Sequence, residues 1–120
     1  MQEQVTFKLS PHFDVQSTDA DALLRELKHQ QQAVEALLTS YHYRSRGRVF
    51  DVLIDESSVA LISQSMGKFM VKYSIGQFNA CADVDFTETE AMEMLVDIDG
   101  EKRVAVITGE YIPERDPDEF

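Results

Sequence analysis

Apolar and polar residues alternate at the start of the chain, and this predicts a short β-strand before residue 10. Val5, Phe7 and Leu9 are separated by polar residues, and side chains two positions apart lie on the same face of a strand. Ser10-Pro11 follows, and proline has no N–H group to continue strand pairing. We therefore expect one strand with a buried face, followed by a loop.

A single long helix is predicted next, from about Asp19 to Ser40. Thr18 offers a hydroxyl group for the free N–H groups of the first turn, and the carboxylates of Asp19 and Asp21 suit the positive end of the helix dipole. The apolar residues recur at steps of three and four and form one stripe, which consists of Ala20, Leu23, Leu24, Leu27, Val34, Leu37, Leu38 and Tyr41. The stripe weakens at Gln30-Gln31-Gln32. We interpret this run as a place where the helix overhangs a smaller sheet; the alternative is that these amides meet a partner.

From Val49 onward the apolar residues recur with period two, which predicts an antiparallel sheet. Strands are expected at 49–54, 59–62 and 68–75, with a turn at 55–58. The clearest amphipathic strand runs through 77–86, where one face would carry Phe78, Ala80, Ala82, Val84 and Phe86. Because Ala80 and Ala82 are small, we expect the helix to approach the sheet most closely there.

Residues 87–98 fit two structures. Thr87-Glu88-Thr89-Glu90 is a capping-box pattern that could begin a helix. The alternation that follows favours a strand, because the apolar residues at every second position are Met92, Met94, Val96 and Ile98. We predict a hairpin with a three-residue loop ending in a left-handed Gly100, and a last strand at 102–112. This register places Val104 opposite Met94 and Val106 opposite Met92.

These elements predict an α+β fold in which one long N-terminal helix packs on one face of an antiparallel, five- to six-stranded meander sheet. A chain of 120 residues falls within the usual size of one domain, so we expect a single domain over 1–112. Residues 113–120 contain two prolines, four acidic residues and one apolar residue. Such a segment buries too little apolar surface to order itself, which predicts a disordered acidic tail.

The charge of the chain predicts the kind of partner. Twenty-two acidic and eleven basic residues give a formal net charge of −11, which attracts basic surfaces and opposes the phosphate contacts of direct nucleic-acid binding. We expect a basic protein surface to be bound by spaced carboxylates, namely Asp83, Asp85, Glu88, Glu90, Asp97 and Asp99. The one local reversal of charge is formed by Arg44, Arg46 and Arg48. These arginines suit the end of the preceding helix or a protein contact, and with Tyr41 and Tyr43 they also resemble the basic and aromatic mixture that binds nucleic acid.

No pattern typical of catalysis or of a cofactor site occurs. Cys81 stands beside Asp83 and Asp85, whose negative charge disfavours a reactive thiolate. The run 83–90 resembles the start of a calcium-binding loop, but Glu88 stands where the loop needs glycine and Met94 where it needs the closing glutamate. Zinc-binding spacings and glycine-rich phosphate loops are absent from the sequence. We therefore predict no catalytic residues, no metal and no cofactor.

Cysteine usage and hydropathy predict a cytoplasmic protein. A lone cysteine cannot form an internal disulfide, and the first residues lack the basic and apolar regions of a signal peptide. No apolar run approaches the ~20 residues of a membrane span. The exposed strand edges and the helix each offer a route to a homodimer.

The sequence leaves three functions open. The first is a small acidic cytoplasmic protein-binding module of the inhibitor, immunity, chaperone or adaptor type. The second is a small-ligand-binding or enzymatic domain with a pocket between helix and sheet, lined by Phe69, Tyr73, Phe78 and Phe86. The third is an inhibitor that mimics nucleic acid toward a DNA-binding protein, with carboxylates in place of phosphates.

Overall fold

The described part of the chain forms two helices and a six-stranded antiparallel sheet. The computed structural model describes residues 2–42, 48–79 and 84–112, without the side chains of 77–79 and 84–86. In chain order the elements are β1 (Gln4–Lys8), α1 (Ala20–His29), α2 (Gln31–His42), β2 (Arg48–Ile54), β3 (Ala60–Leu61), β4 (Met66–Asn79), β5 (Val84–Asp99) and β6 (Val104–Thr108). A short 3-10 turn, Glu56–Ser58, precedes β3. The predicted α+β class is confirmed, whereas the predicted boundary at 113–120 lies outside the described residues.

The strand order is β1-β6-β5-β4-β2, with β3 pairing to β4 off this path. Among the described strands, β3, β4, β5 and β6 pair in chain order, so the meander consists of these four strands. The strands β1 and β2 stand at opposite ends of the order, yet α2 packs against both of them. The sheet therefore curls around the helices.

The predicted single helix is wrong, because the chain forms two helices that meet at Gln30. This residue has φ −100° and ψ 28°, and its N–H group donates to the carbonyls of Glu26 and Leu27. Its side-chain amide donates to the carbonyl oxygen of Lys8 (3.0 Å), and that of Gln31 donates to the carbonyl oxygen of Val52 (2.8 Å). The glutamines thus bind the two edge strands of the sheet. They do not mark a helix that overhangs it.

The first helix begins with a side-chain cap from Asp19. Its carboxylate accepts a hydrogen bond from the N–H of Ala22 (2.7 Å), which satisfies one of the free donors of the first turn. Thr18, the predicted cap, instead directs its hydroxyl to the carbonyls of Asp14 and Val15. The start of the helix was therefore predicted within one residue, but the capping side chain is Asp19 and not Thr18.

The core lies between the helices and the concave face of the sheet. Its largest fully buried side chains are Phe69, Leu23, Leu27, Leu37, Leu38, Met94, Ile107, Val34, Val71 and Val96. Two glycines allow close contact with the helices: a Cβ atom on Gly67 would lie 2.5 Å from Leu23 Cδ2, and one on Gly109 would lie 2.6 Å from the Tyr41 ring. The predicted close approach at Ala80 and Ala82 lies outside the described residues.

The alternation predicted one strand over residues 77–86, and this prediction is wrong. Instead β4 continues through Gly76 to Asn79, which pairs with Val84 at the start of β5. The two ends of the predicted strand therefore belong to opposite arms of a hairpin, and residues 80–83 between them are not described. Period-two alternation runs through all of 77–86 in the sequence, so the pattern alone did not reveal where one strand ends and the next begins. The prediction of strand over helix for 87–98 is confirmed.

The predicted register of the last hairpin is also wrong. Asp99 pairs with Val104 and Val96 with Ile107, so four residues, 100–103, connect the strands. This register places Ala105 and Ile107 in the core, with exposures of 1% and 0%, and Val104 on the other face. No glycine among the described residues has a positive φ, whereas Arg103 does (52°). The last strand ends at Thr108, four residues before its predicted end.

Candidate functional site

The hairpin of β4 and β5 is longer than the strands beside it. The pairing of β6 with β5 ends at Leu95 and Thr108, whereas β4 accompanies β5 down to Val84. Among the described residues, no strand pairs with the other edge of β5 between Val84 and Met94. A stretch of nine residues along this edge is roughly 30 Å long, since a strand rises by about 3.3 Å per residue.

Backbone hydrogen bonds show which residues of β5 face this free edge. The N–H of Ile98 donates to Ser65 on the β4 side (2.7 Å), and the N–H of Glu93 donates to the Glu110 carboxylate on the β6 side (3.0 Å). Successive residues of a strand direct their backbone groups to opposite sides. The odd-numbered residues Thr87, Thr89 and Ala91 therefore direct N–H and C=O groups toward the free edge, and all are exposed.

The acidic residues of β5 divide between the two faces of the sheet. Glu88 pairs with Ile75 and Glu90 with Tyr73; since Ile75 and Tyr73 are buried, both carboxylates lie on the helix side, and both are exposed beyond the helices. Asp97 and Asp99 alternate with buried Val96 and Ile98 and so lie on the opposite, open face. The predicted acidic set is therefore not one patch.

The other predicted site residues are described only in part. Asp83, Arg44 and Arg46 lie outside the described residues. Asp85 pairs with Phe78 through its backbone, and its side chain is not described. Arg48 begins β2 with an exposed side chain and pairs with Gly76. Two pairs of predicted carboxylates therefore share a face each: Glu88 with Glu90 on the helix side, and Asp97 with Asp99 on the open face.

A neutral tyrosine–histidine pair lies at the base of this acidic edge. The Tyr73 hydroxyl is 2.9 Å from His42 Nε2. Burial raises the pKa of Tyr73 to about 12, and the charges of Glu90 and Glu110 add to the effect. Burial also lowers the pKa of His42, against an opposing contribution from Glu90. Both shifts favour the uncharged forms of this pair at neutral pH.

Tyr41 fixes the place where the free edge begins. Its hydroxyl donates to the carbonyl of Glu110 (2.7 Å) and accepts from the N–H of Glu3 (2.9 Å). Burial raises the pKa of this hydroxyl, which therefore stays a hydrogen-bond donor well above neutral pH. Because Glu110 is held there, its carboxylate can accept from the N–H of Glu93, two residues beyond the last β5–β6 pair, Leu95 with Thr108.

A cleft of about 470 Å³ lies between the 10–19 loop and α1, and the sequence analysis missed it. Its lining consists of Ser10, Pro11, His12, Phe13, Asp14, Ser17, Asp19, Ala22, Arg25, Glu26 and His29. The Glu26 carboxylate is 5% exposed and accepts from the N–H and hydroxyl of Ser10, so it anchors the loop. Exposed Arg25 gives the cleft a cationic group, His12 and His29 add imidazole rings, and Asp14, Asp19 and Glu26 add carboxylates. The sequence could have indicated that Arg25 and His29 lie together, because residues four apart on a helix are neighbours. The position of His12 depends on the conformation of the loop and could not be predicted.

The predicted aromatic pocket is not supported by the residues that can be checked. Phe69 and Tyr73 are 1% and 3% exposed and belong to the hydrophobic core. The side chains of Phe78 and Phe86 are outside the description. Half of the predicted lining is therefore core.

The open face of the sheet carries exposed apolar side chains. A bulge between Phe50 and Leu53, at which Asp51 has a φ of 53°, shifts the register of β2 against β4. Because of this shift Phe50 and Leu53 share the open face, with exposures of 36% and 64%, and Leu95 on the same face is 40% exposed.

Neither a metal site or a membrane-spanning helix among the described residues nor a known relative indicates a function for this chain. Within the described ranges, no three His, Cys, Asp or Glu side chains are grouped as a metal site would require, and no helix is long and apolar enough to cross a membrane. No protein-family model matches the chain, and neither a curated protein nor a solved structure matches it significantly.

Proposed function

We propose that this protein is a small acidic module of the cytoplasm that binds a basic surface of a partner protein through the projecting β4–β5 hairpin. The observation that carries the proposal is the position of Glu88 and Glu90. Both are exposed on one face of β5, at an edge that no described strand covers. Inhibitors, immunity proteins, chaperones and adaptors can all act by presenting such a surface.

The charge distribution supports electrostatic recognition. Carboxylates two residues apart on a strand are separated by roughly 7 Å, so one partner segment can bring a cation to each. The net charge of −11 increases the rate of encounter with a basic partner and makes binding sensitive to salt. The division of the carboxylates between two faces favours a short basic segment as the ligand, and it weakens the proposal of a long row that imitates nucleic-acid phosphates.

Affinity capture with matched baits tests this function. The wild-type protein is compared with Glu88→Gln/Glu90→Gln and with Asp21→Asn/Glu101→Gln, which removes two exposed charges elsewhere. We expect the wild type and the control to retain the same basic protein at low salt and release it at high salt, and the hairpin variant to lose it. Equal retention by all three baits, or no basic protein on any, would contradict the proposal.

The cleft beside α1 supports a second function, binding of a small anionic ligand. Its favourable feature is a cavity of about 470 Å³ in which the guanidinium group of Arg25 and the rings of His12 and His29 offer hydrogen-bond donors beside the carboxylates of Asp14, Asp19 and Glu26. A ligand that binds only the native state raises the melting temperature. A screen of small carboxylates and phosphates should therefore yield a stabiliser whose effect disappears in Arg25→Gln, and a screen without one argues against this function.

A further inference from the structure

We propose that the basic segment of the partner binds in an extended conformation, as an added β-strand along the edge of β5 from Thr87 to Ala91. This inference rests on the proposed function and specifies how the partner binds. It concerns backbone hydrogen bonds, whereas the proposed function concerns charge, so the two can be tested separately.

On three strand edges of the described chain, side chains occupy single backbone groups. Gln30 occupies the carbonyl of Lys8 on β1, and Gln31 occupies the carbonyl of Val52 on β2. The Glu110 carboxylate occupies the N–H of Glu93 on β5. From Thr87 to Ala91, no hydrogen bond from the described part of the chain occupies the outward backbone groups of β5. An exposed row of unpaired N–H and C=O groups is a template for another strand.

The side chains beside this edge define the sequence that would bind. Residues of an added strand that lie on the helix side would stand opposite Glu88 and Glu90, where Lys or Arg is favoured. Residues on the open side would stand opposite Thr87, Thr89 and Ala91, where small or β-branched side chains fit. The preferred ligand therefore alternates basic residues with residues such as threonine.

Two other occupants fit this edge poorly. A second copy that pairs antiparallel around Thr89 would place Glu88 opposite Glu90 of its partner, and like charges directly opposite one another are destabilising. The chain's own segment 113–120 carries four acidic residues and two prolines, so it would be repelled and would lack two N–H donors. Of these three occupants, a basic segment of another protein is the one with complementary charge.

Hydrogen exchange with two peptides tests the inference. The probes are a blocked eight-residue peptide of alternating lysine and threonine and a peptide of the same composition with four lysines followed by four threonines. On the full-length protein, the alternating peptide should bind at least fivefold more tightly and slow the exchange of the Thr87, Thr89 and Ala91 amides. Equal binding of the two peptides, without protection of these amides, would overturn the added strand.

Two substitutions of the same residue separate the backbone from the side chain. Proline is tolerated on an edge strand when its missing N–H faces outward, so Thr89→Pro should fold and bind the alternating peptide about five- to tenfold more weakly. Thr89→Val keeps the N–H and should bind like the wild type. Thr87→Pro provides an independent second case. If Glu88→Gln/Glu90→Gln abolishes binding while both proline variants bind normally, the added strand is wrong and the proposed function stands; if charge removal has no effect, the proposed function fails first.

Discussion

Gln30 lies at the junction of the two helices and donates its side-chain amide to the carbonyl oxygen of Lys8, 3.0 Å away on the edge of the sheet. One residue along, Gln31 makes the corresponding bond to the opposite edge strand, β2. The break between the helices and the curl of the sheet are thus parts of one arrangement. It occupies one carbonyl on each of two edge strands, whereas no described strand pairs with the edge of β5 between Val84 and Met94.

Removal of the Gln30 amide should destabilise the fold. In Gln30→Ala the carbonyl of Lys8 loses its partner, and we expect the free energy of unfolding to fall by about 1 kcal/mol. Gln32→Ala is the matched control, because Gln32 is exposed on the same run and its replacement should change stability by less than ~0.5 kcal/mol. Urea unfolding compares the two, and equal effects would show that the amide bond contributes nothing.

Gly109→Ala should be strongly destabilising. A Cβ atom at this position would lie 2.6 Å from the Tyr41 ring, which is itself held by the carbonyl of Glu110 and the N–H of Glu3. We expect a loss of about 1–3 kcal/mol from overpacking. In the control, Gly100→Ala, the new Cβ would lie 3.4 Å from Val15, an ordinary contact distance. Similar melting temperatures for the two variants would contradict the close approach of α2.

The stability of the protein should fall as the pH rises from about 10 to 12. The pKa of Tyr73 is about 12 in the folded protein, above its ordinary value of 10.0. Below pH 10 the hydroxyl is protonated in both states and the stabilisation is fully present; above it, the unfolded chain loses its proton first. The raised pKa of Tyr41 acts in the same direction. Tyr73→Phe should flatten this slope in urea unfolding at a series of pH values, and an unchanged slope would contradict the assignment.

Glu26 should matter more for stability than an exposed glutamate of the second helix. Its buried carboxylate accepts from the hydroxyl of Ser10 (2.6 Å) and from Gln30 (3.2 Å). Glu26→Ala leaves these donors without a partner, and a cost of about 2–3 kcal/mol is expected. Glu35→Ala, at an exposed position, should cost much less. If both variants melt alike, the loop before α1 does not depend on Glu26.

Much of the fold could be predicted from alternation and amphipathicity, since these patterns record which face is buried. The break between the helices could not be predicted in this way, because Gln30 and Gln31 bind carbonyls of strands that are distant in sequence. The hairpin register failed for a related reason. Both Val104 and Ala105 can be buried, and the choice depends on Ile107, which packs in the core two residues beyond Ala105.

Residues that could bind a partner were proposed from the sequence, but their arrangement on the sheet was not. The sequence indicated Glu88 and Glu90 as partner-binding residues. On a continuous strand, even-numbered and odd-numbered residues lie on opposite faces, so these two glutamates are separated from Asp97 and Asp99. That division became visible only when β5 was known to run without a bulge from Val84 to Asp99. The free edge itself depends on where β6 ends, which the sequence placed four residues too late.

The most direct test of the account is a hydrogen-exchange footprint of the basic partner recovered by affinity capture. We predict protection of the Thr87, Thr89 and Ala91 amides, with no protection at His12 and His29 in the cleft. Protection confined to the cleft, or to Phe50 and Leu53 on the open face, would contradict binding at the edge of β5.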